Sequence, residues 1–370
     1  MKDINRFKSI LIASLAIVIL PKAAFGFGIS AKGKLMTYGQ GVHESITLRA
    51  LEDIQFFEGV DKKKLKFEVK NVLEGVRFND DPEGFFMDKD VIGFVGKFLD
   101  DNGYKAKKDP TKSSHFGHYQ FLHAMGSRSL TREDIKGKMD RYIYHCWRMI
   151  TDENSFENFK RDYEIVTQHL KREKEYQNSN IGFPPEYISF RYTRDQLIIR
   201  ESVELFPKNV LFFHAKNQTE FKNRALGSLL HVIQDSYALG HVVRVGWEEG
   251  DNSGKIRYFQ NYSEQDSGKH KDFDTLPGGD LSGNNFLKIP GSQAALDRSV
   301  QVLQMIKNRC PWTRNYDEVN LNCSDSVYGL VSKDIFAFDE NNIDIDISTH
   351  SHPELKIGEV LNFDWRLENR

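Results

Sequence analysis

Apolar positions recur at helical spacing through most of this chain. His43, Ile46, Leu48, Leu51 and Ile54, with Glu44 and Ser45 in the first turn, predict an amphipathic helix starting near Gly41. Leu65, Phe67, Val69, Val72, Leu73 and Val76 predict a second over 62–77, ending in Gly75-Val-Arg-Phe-Asn-Asp80-Asp81-Pro82, where Pro82 disfavours helix at Asp81. Further amphipathic helices are predicted at about 133–152, 157–176, 193–206, 219–239 and 292–308. The run before Gly240 differs: Leu226, Leu229, Leu230, Val232, Ile233 and Leu239 surround it, which predicts a buried helix with Gly240 as its stop. Residues 83–114 and 242–291 are polar and glycine-bearing and read as an excursion and a loop, while 343–348 and 357–361 alternate like strands. The expected fold is mainly α: a single multi-helix domain over 27–309 with a short strand-like C-terminal extension over 310–370.

The first 26 residues stand apart from this pattern. Lys2, Arg6 and Lys8 precede an apolar run over 10–20 and a small-residue end at Ala23-Ala-Phe-Gly26, the layout of a secretory signal peptide cut after Gly26. The apolar run is too short to span a bilayer, which takes about 20 residues. The expected localisation is therefore secreted. Export permits a disulfide, and Cys310 and Cys323, flanking a short polar loop, are the expected pair; Cys146, in an aromatic setting, is expected as a buried thiol. A formal net charge of −2 offers no global basic field for nonspecific nucleic-acid binding.

Candidate chemistry concentrates in the buried helix. His231 and Asp235 lie four apart, on one helical face, and His241 follows just past Gly240. A carboxylate in such surroundings calls for a paired charge or a metal; a plain His–Asp hydrogen-bonded pair with a chance third histidine is the competing explanation. Asp80 and Asp81 at a helix end also fit an ordinary polar turn. Ser114-His115-Phe116-Gly-His118 and His123 put three histidines within nine residues, of which His118 or His123 also suits a core or supporting place. His270 and Asp274 repeat the four-residue spacing in a polar loop whose composition supplies such residues anyway. Imidazole and carboxylate without thiolate suit zinc in an exported hydrolase, and the set is too large for one tetrahedral site and fits two or three ions.

Taken together these elements resemble the bacterial zinc-dependent phospholipase C family, which shares its fold and trinuclear zinc site with single-strand-specific nucleases. The match rests on His231-x3-Asp235-x5-His241, on His270-x3-Asp274, on His43 in Gly41-Val-His43-Glu, on Gly75-x4-Asp80, taken as a turn, and on Ser114-His115-Phe116, all in the family's order over 43–274. The resemblance selects Asp80 over Asp81 and His115 over His118. It implies one zinc on Asp80, His115, His231 and Asp235, a second on His241, His270 and Asp274, and a third on His43, Asp235 and the mature N-terminus. It further implies attack of metal-activated water on phosphorus, with Asp80 as the candidate catalytic base. Two departures are plain: the family's mature chain starts with tryptophan, whereas cleavage after Gly26 exposes Phe27, and the gap from Asp80 to His115 is longer than usual.

The resemblance thus implies a secreted phospholipase C that acts at a phospholipid membrane surface, hydrolysing a glycerophospholipid such as phosphatidylcholine to diacylglycerol and a phosphorylated headgroup, with no stable nucleic-acid partner. A nuclease or nucleotidase on the same metal core is the alternative, favoured slightly by Asp274, since the nucleases tend to carry Asp where the phospholipases carry Glu. A non-catalytic secreted metal- or lipid-binding protein is the third.

Overall fold

A computed structural model of the chain describes residues 41–82, 114–115, 119–126, 130–179, 192–193, 196, 199–200, 214–246, 252–261, 283–313, 323 and 326–341. The regular elements are α1 (Val42–Asp53), α2 (Lys62–Phe78), a 3-10 turn (Gln120–His123), α3 (Arg132–Thr151), α4 (Ser155–Ser179), α5 (Gln218–Asp235), strands β1 (Val242–Arg244) and β2 (Ile256–Phe259), a second 3-10 turn (Asn285–Lys288), α6 (Ser292–Lys307) and a π-helix (Gly329–Ile335). The chain folds as one mainly helical domain with a two-stranded sheet. The expected signal peptide, the excursion over 83–113, most of the predicted 193–206 helix, and the strand-like 343–348 and 357–361 lie outside the described residues.

Local chemistry sets the helix starts. Asp61 accepts the backbone N–H of Lys63 and Lys64, Asn217 accepts that of Glu220, and Thr131 forms a reciprocal capping box with Asp134. The helix predicted as buried is the axis of the domain: α5 packs on α2, α3, α4 and α6, and its side chains from Ala225 to Asp235 are buried throughout. The α2–α5 crossing is unusually close. A Cβ built on Gly227 would lie 1.9 Å from the Val72 carbonyl oxygen, and one on Gly75 would lie 2.0 Å from that of Arg224. Gly75 is therefore a helix-crossing residue inside α2, the helix predicted over 62–77, where the family resemblance had taken Gly75-x4-Asp80 as a turn.

The stop of α5 also differs from expectation. The helix ends at Asp235, five residues before Gly240: its last carbonyls are closed by local turns (Tyr237 N–H to Gln234 O, Ala238 N–H to Asp235 O), and distant side chains hold the carbonyls just beyond it. The buried Arg244 guanidinium donates to Ser236 O at 2.7 Å and to Gly254 O and Ile335 O, while Asn252 donates to Tyr237 O at 2.9 Å. A cation at a helix C-terminus also complements the helix dipole. Beyond that anchor, β1 and β2 pair antiparallel inside the segment expected as loop. Within the described part of 310–341, Gly329–Ile335 forms a π-helix and Phe338 makes an isolated bridge with Ile256. Val327, Val331, Ile335 and Phe336 belong to the main core, so this stretch packs as part of the domain. Cys310 and Cys323 form the expected disulfide, and Cys146 is a buried free thiol whose pKa burial drives upward.

Candidate metal centre

Five segments far apart in sequence deliver histidines and carboxylates to one buried spot. His43 stands in the first turn of α1, Asp80 just beyond α2, His115 after Ser114, His231 and Asp235 on the last turns of α5, and His241 before β1; all six are fully or almost fully buried. The structure adds His123, at the end of the first 3-10 turn. Sets that bring ligand atoms within 4.8 Å of one another are His43, Asp80 and His231; Asp80, His115 and His123; and His123, His231 and Asp235. His270 and Asp274, and His118, lie outside the described residues.

Asp235 is the hub. Its oxygens lie 2.8 Å from His231 Nε2, 3.0 Å from His43 Nε2, 3.3 Å from His123 Nδ1 and 3.4 Å from His241 Nδ1. The four-residue helical spacing read from the sequence explains only the first of these; the others require the tertiary fold. Asn79 sets the place of Asp80. Its amide donates to Leu122 O at 2.8 Å, its carbonyl accepts the Ser228 hydroxyl, and Tyr142 OH bonds Ser228 Oγ at 2.7 Å, which ties the end of α2 to both α5 and the 3-10 turn.

Supporting hydrogen bonds fix two imidazole tautomers. Gln234 donates its amide N–H to Thr47 Oγ1 at 2.9 Å and to Ser299 Oγ, so its oxygen faces His43 and accepts from Nδ1 at 2.8 Å. His43 Nε2 is then left as a lone pair toward Asp235. His241 Nδ1 donates to the backbone carbonyl of His123 at 2.6 Å, which leaves its Nε2 as the lone-pair nitrogen. Outward N–H groups held by carbonyl or amide oxygens are the usual second layer around metal-binding histidines.

Protonation states point the same way. Burial, reinforced by neighbouring His43, lowers the His231 pKa to about 4, and burial holds His123 well below the usual imidazole range. Burial works against ionisation of Asp235, yet His241, His231 and His43 outweigh it and hold its carboxyl well below the usual range. Neutral imidazoles around ionised carboxylates are the state a metal needs. Among the described residues the ionic partners of Asp235 are histidines alone, with no Lys or Arg to balance it. The donor chemistry, the burial and the held tautomers therefore fit a divalent cation. A metal site is compatible with this cluster.

The same shift predicts an acid-sensitive metal-free protein. His231 stays neutral in the fold down to about pH 4, against an ordinary value of 6.5. Between those values the unfolded chain binds the extra proton, so stability falls as pH drops through the window, by about 3 kcal/mol from this residue. Asp235 does not mask the effect, because its stabilisation is intact above the unfolded carboxylate value of about 3.9 and is lost only at more acid pH. Thermal melting in chelator across the window checks this; a melting temperature that is flat or rises toward acid would contradict it.

Searches against family models, curated proteins and solved structures find no match to this chain.

Proposed function

We propose that this protein is a secreted zinc-dependent phosphodiester hydrolase, acting as a phospholipase C on glycerophospholipid with phosphatidylcholine as the leading substrate. The observation that carries the reading is the buried convergence of His43, Asp80, His115, His231 and Asp235, with His241 alongside, in the order and spacing of the phospholipase C-like motif. When bound, closely spaced zinc ions supply Lewis acidity toward phosphoryl oxygens and acidify water to near neutrality. The chain's own contribution is to hold carboxylate and imidazole donors fixed and dry, with Gln234 and the His123 carbonyl aiming two of the rings. Asp80 is the candidate general base; Asn79 fixes its position from the neighbouring residue. The disulfide supports an oxidising compartment and so the exported reading. Among the described residues no helix is long and apolar enough to cross a membrane.

The test is release of water-soluble phosphorylated headgroup from phosphatidylcholine vesicles by zinc-loaded mature protein. Release is expected to stop in a strong chelator and resume when zinc is restored. Full release in chelator would sink the metal mechanism. A zinc-replete protein that releases nothing moves the reading to the nuclease, with single-stranded nucleic acid as the next substrate. Zinc content without turnover of any phosphoester would leave a binding protein.

A further inference from the structure

His123 stands outside the ligand set that the motif supplies, yet its ring occupies the centre of the cluster. His123 Nδ1 lies 3.3 Å from Asp235 Oδ2, 3.4 Å from Asp80 Oδ1 and 3.4 Å from His231 Nε2. Two further edges among the same four atoms are 2.8 Å, from His231 to Asp235, and 4.0 Å, from His231 to Asp80. Four donors around zinc at about 2.0–2.1 Å are separated by roughly 3.3 Å along each edge of the tetrahedron. All three edges that meet at His123 have that length. We propose that His123 Nδ1 is a direct ligand of the ion held by Asp80, His231 and Asp235, a vertex that the sequence motif alone assigns to His115.

A hydrogen bond explains the arrangement less well. One Nδ1–H cannot serve two carboxylates and an imidazole nitrogen at nearly equal distance, and 3.3 Å is long for a donor facing an ionised carboxylate, where about 2.7–2.9 Å is usual. A cation among the four atoms satisfies all of them at once. The other ring nitrogen of His123 has no hydrogen-bond partner among the described residues. His115 differs: its Nδ1 meets the Ser114 hydroxyl at 3.0 Å, and its ring lies beside that of His123, with centroids 4.8 Å apart. It joins the group through Asp80 and His123 and is not in the grouping with His231 and Asp235.

The local fold explains how His123 arrives. The 3-10 turn over Gln120–His123 ends on Ala124 in the left-handed region at φ 49°, and Gly126 N–H donates to Gln260 O at 2.8 Å while Gln260 N–H donates to His241 O at 2.8 Å. His123 and His241 are thereby pinned to one another through backbone. His123 also serves His241 by its carbonyl, and that carbonyl survives truncation of the ring. His123→Ala thus removes the proposed ligand while keeping the hydrogen bond that orients His241.

This proposal rests on the metal-centre reading, and cobalt loading separates the two. Wild-type protein, His123→Ala and His115→Ala would be stripped of metal, titrated with Co(II), and followed by visible absorption and by metal retained after dialysis. The expected result is a changed d–d band for His123→Ala, a loss of affinity for one ion greater than the roughly 10–100-fold of a merely orienting neighbour, and recovery of the band on adding free imidazole to fill the vacated space. A His123→Ala protein with the wild-type spectrum and affinity would overturn the proposal while leaving the metal centre intact. Wild-type protein that takes up no cobalt or zinc would overturn the metal-centre reading itself. Circular dichroism of the stripped variants controls for folding, and His123→Gln, which keeps bulk at the buried position, gives the same comparison if the alanine variant does not fold.

Discussion

Asp235→Asn is expected to abolish metal retention and turnover while leaving the fold standing. The carboxylate touches four imidazoles, from α1, the 3-10 turn, its own helix and the strand entrance, more than any other donor in the described cluster is seen to touch. Asparagine keeps the shape and removes the charge that a divalent cation would meet. Loss of the bound metal's contribution predicts a fall in phosphodiester turnover of about a thousandfold or more, equivalent to about 4 kcal/mol in the barrier. Stability should respond differently. Burial opposes the ionised form of Asp235, so removing the charge relieves a desolvation penalty as it removes favourable contacts with histidine. Because the histidine contacts outweigh burial and hold the carboxyl well below its usual range, the metal-free variant is expected to melt below the metal-free wild type while remaining folded, whereas zinc should raise the wild-type value alone. Equal zinc content in the two proteins, measured after dialysis, would show that Asp235 is not a ligand. A metal-free variant that is unfolded would instead mark the His–Asp contacts as structural, the competing explanation offered by the sequence.

What the sequence revealed and what it hid divide along physical lines. The burial of α5 was legible because apolar side chains surround it, and the pairing of His231 with Asp235 was legible because helical periodicity alone puts them on one face. The helix starts at Asp61, Asn217 and Thr131 follow from side chains within three residues of the groups they cap. The helix stop was not legible: Arg244 and Asn252 arrive from beyond the turn, and no local signal in Ser236-Tyr-Ala-Leu-Gly240 announces them. The β1–β2 hairpin escaped for a similar reason, since strands of three and four residues are too short for alternation to stand out from a polar stretch. His123 carried a weak signal as the last of three histidines within nine residues. Its place in the cluster depends on the turn between Tyr119 and Ala124, which spacing does not encode.

Gly227→Ala should be strongly destabilising. In an ordinary helix interior the change stabilises by about 1 kcal/mol, because alanine is the better helix former. Here the added carbon would lie 1.9 Å from Val72 O, 2.5 Å from Val76 N and 2.8 Å from the Gly75 carbonyl carbon. All three atoms are backbone, so no rotamer change relieves the overlap and the two helices must separate. Overpacking of this kind typically costs about 1–3 kcal/mol and occasionally more; with rigid backbone on both sides the upper end applies, which outweighs the propensity gain. The expected loss is about 2 kcal/mol net, or roughly 4–8 °C in melting temperature for a domain of this class. Gly75→Ala, facing Arg224 O at 2.0 Å, should behave alike. Gly137→Ala on α3 is the control, since its nearest neighbour is the flexible end of Arg141 at 3.6 Å, and it should be neutral or stabilising. The effect also reaches the metal centre. Asp80 follows directly on α2 and His231 and Asp235 ride on α5, so the crossing that two glycines permit is what holds Asp80 Oδ1 within 4.0 Å of His231 Nε2. A folded Gly227→Ala protein is thus expected to bind zinc more weakly than wild type. Melting at or above the wild-type temperature, with zinc affinity unchanged, would show that the helices can part without moving the donors.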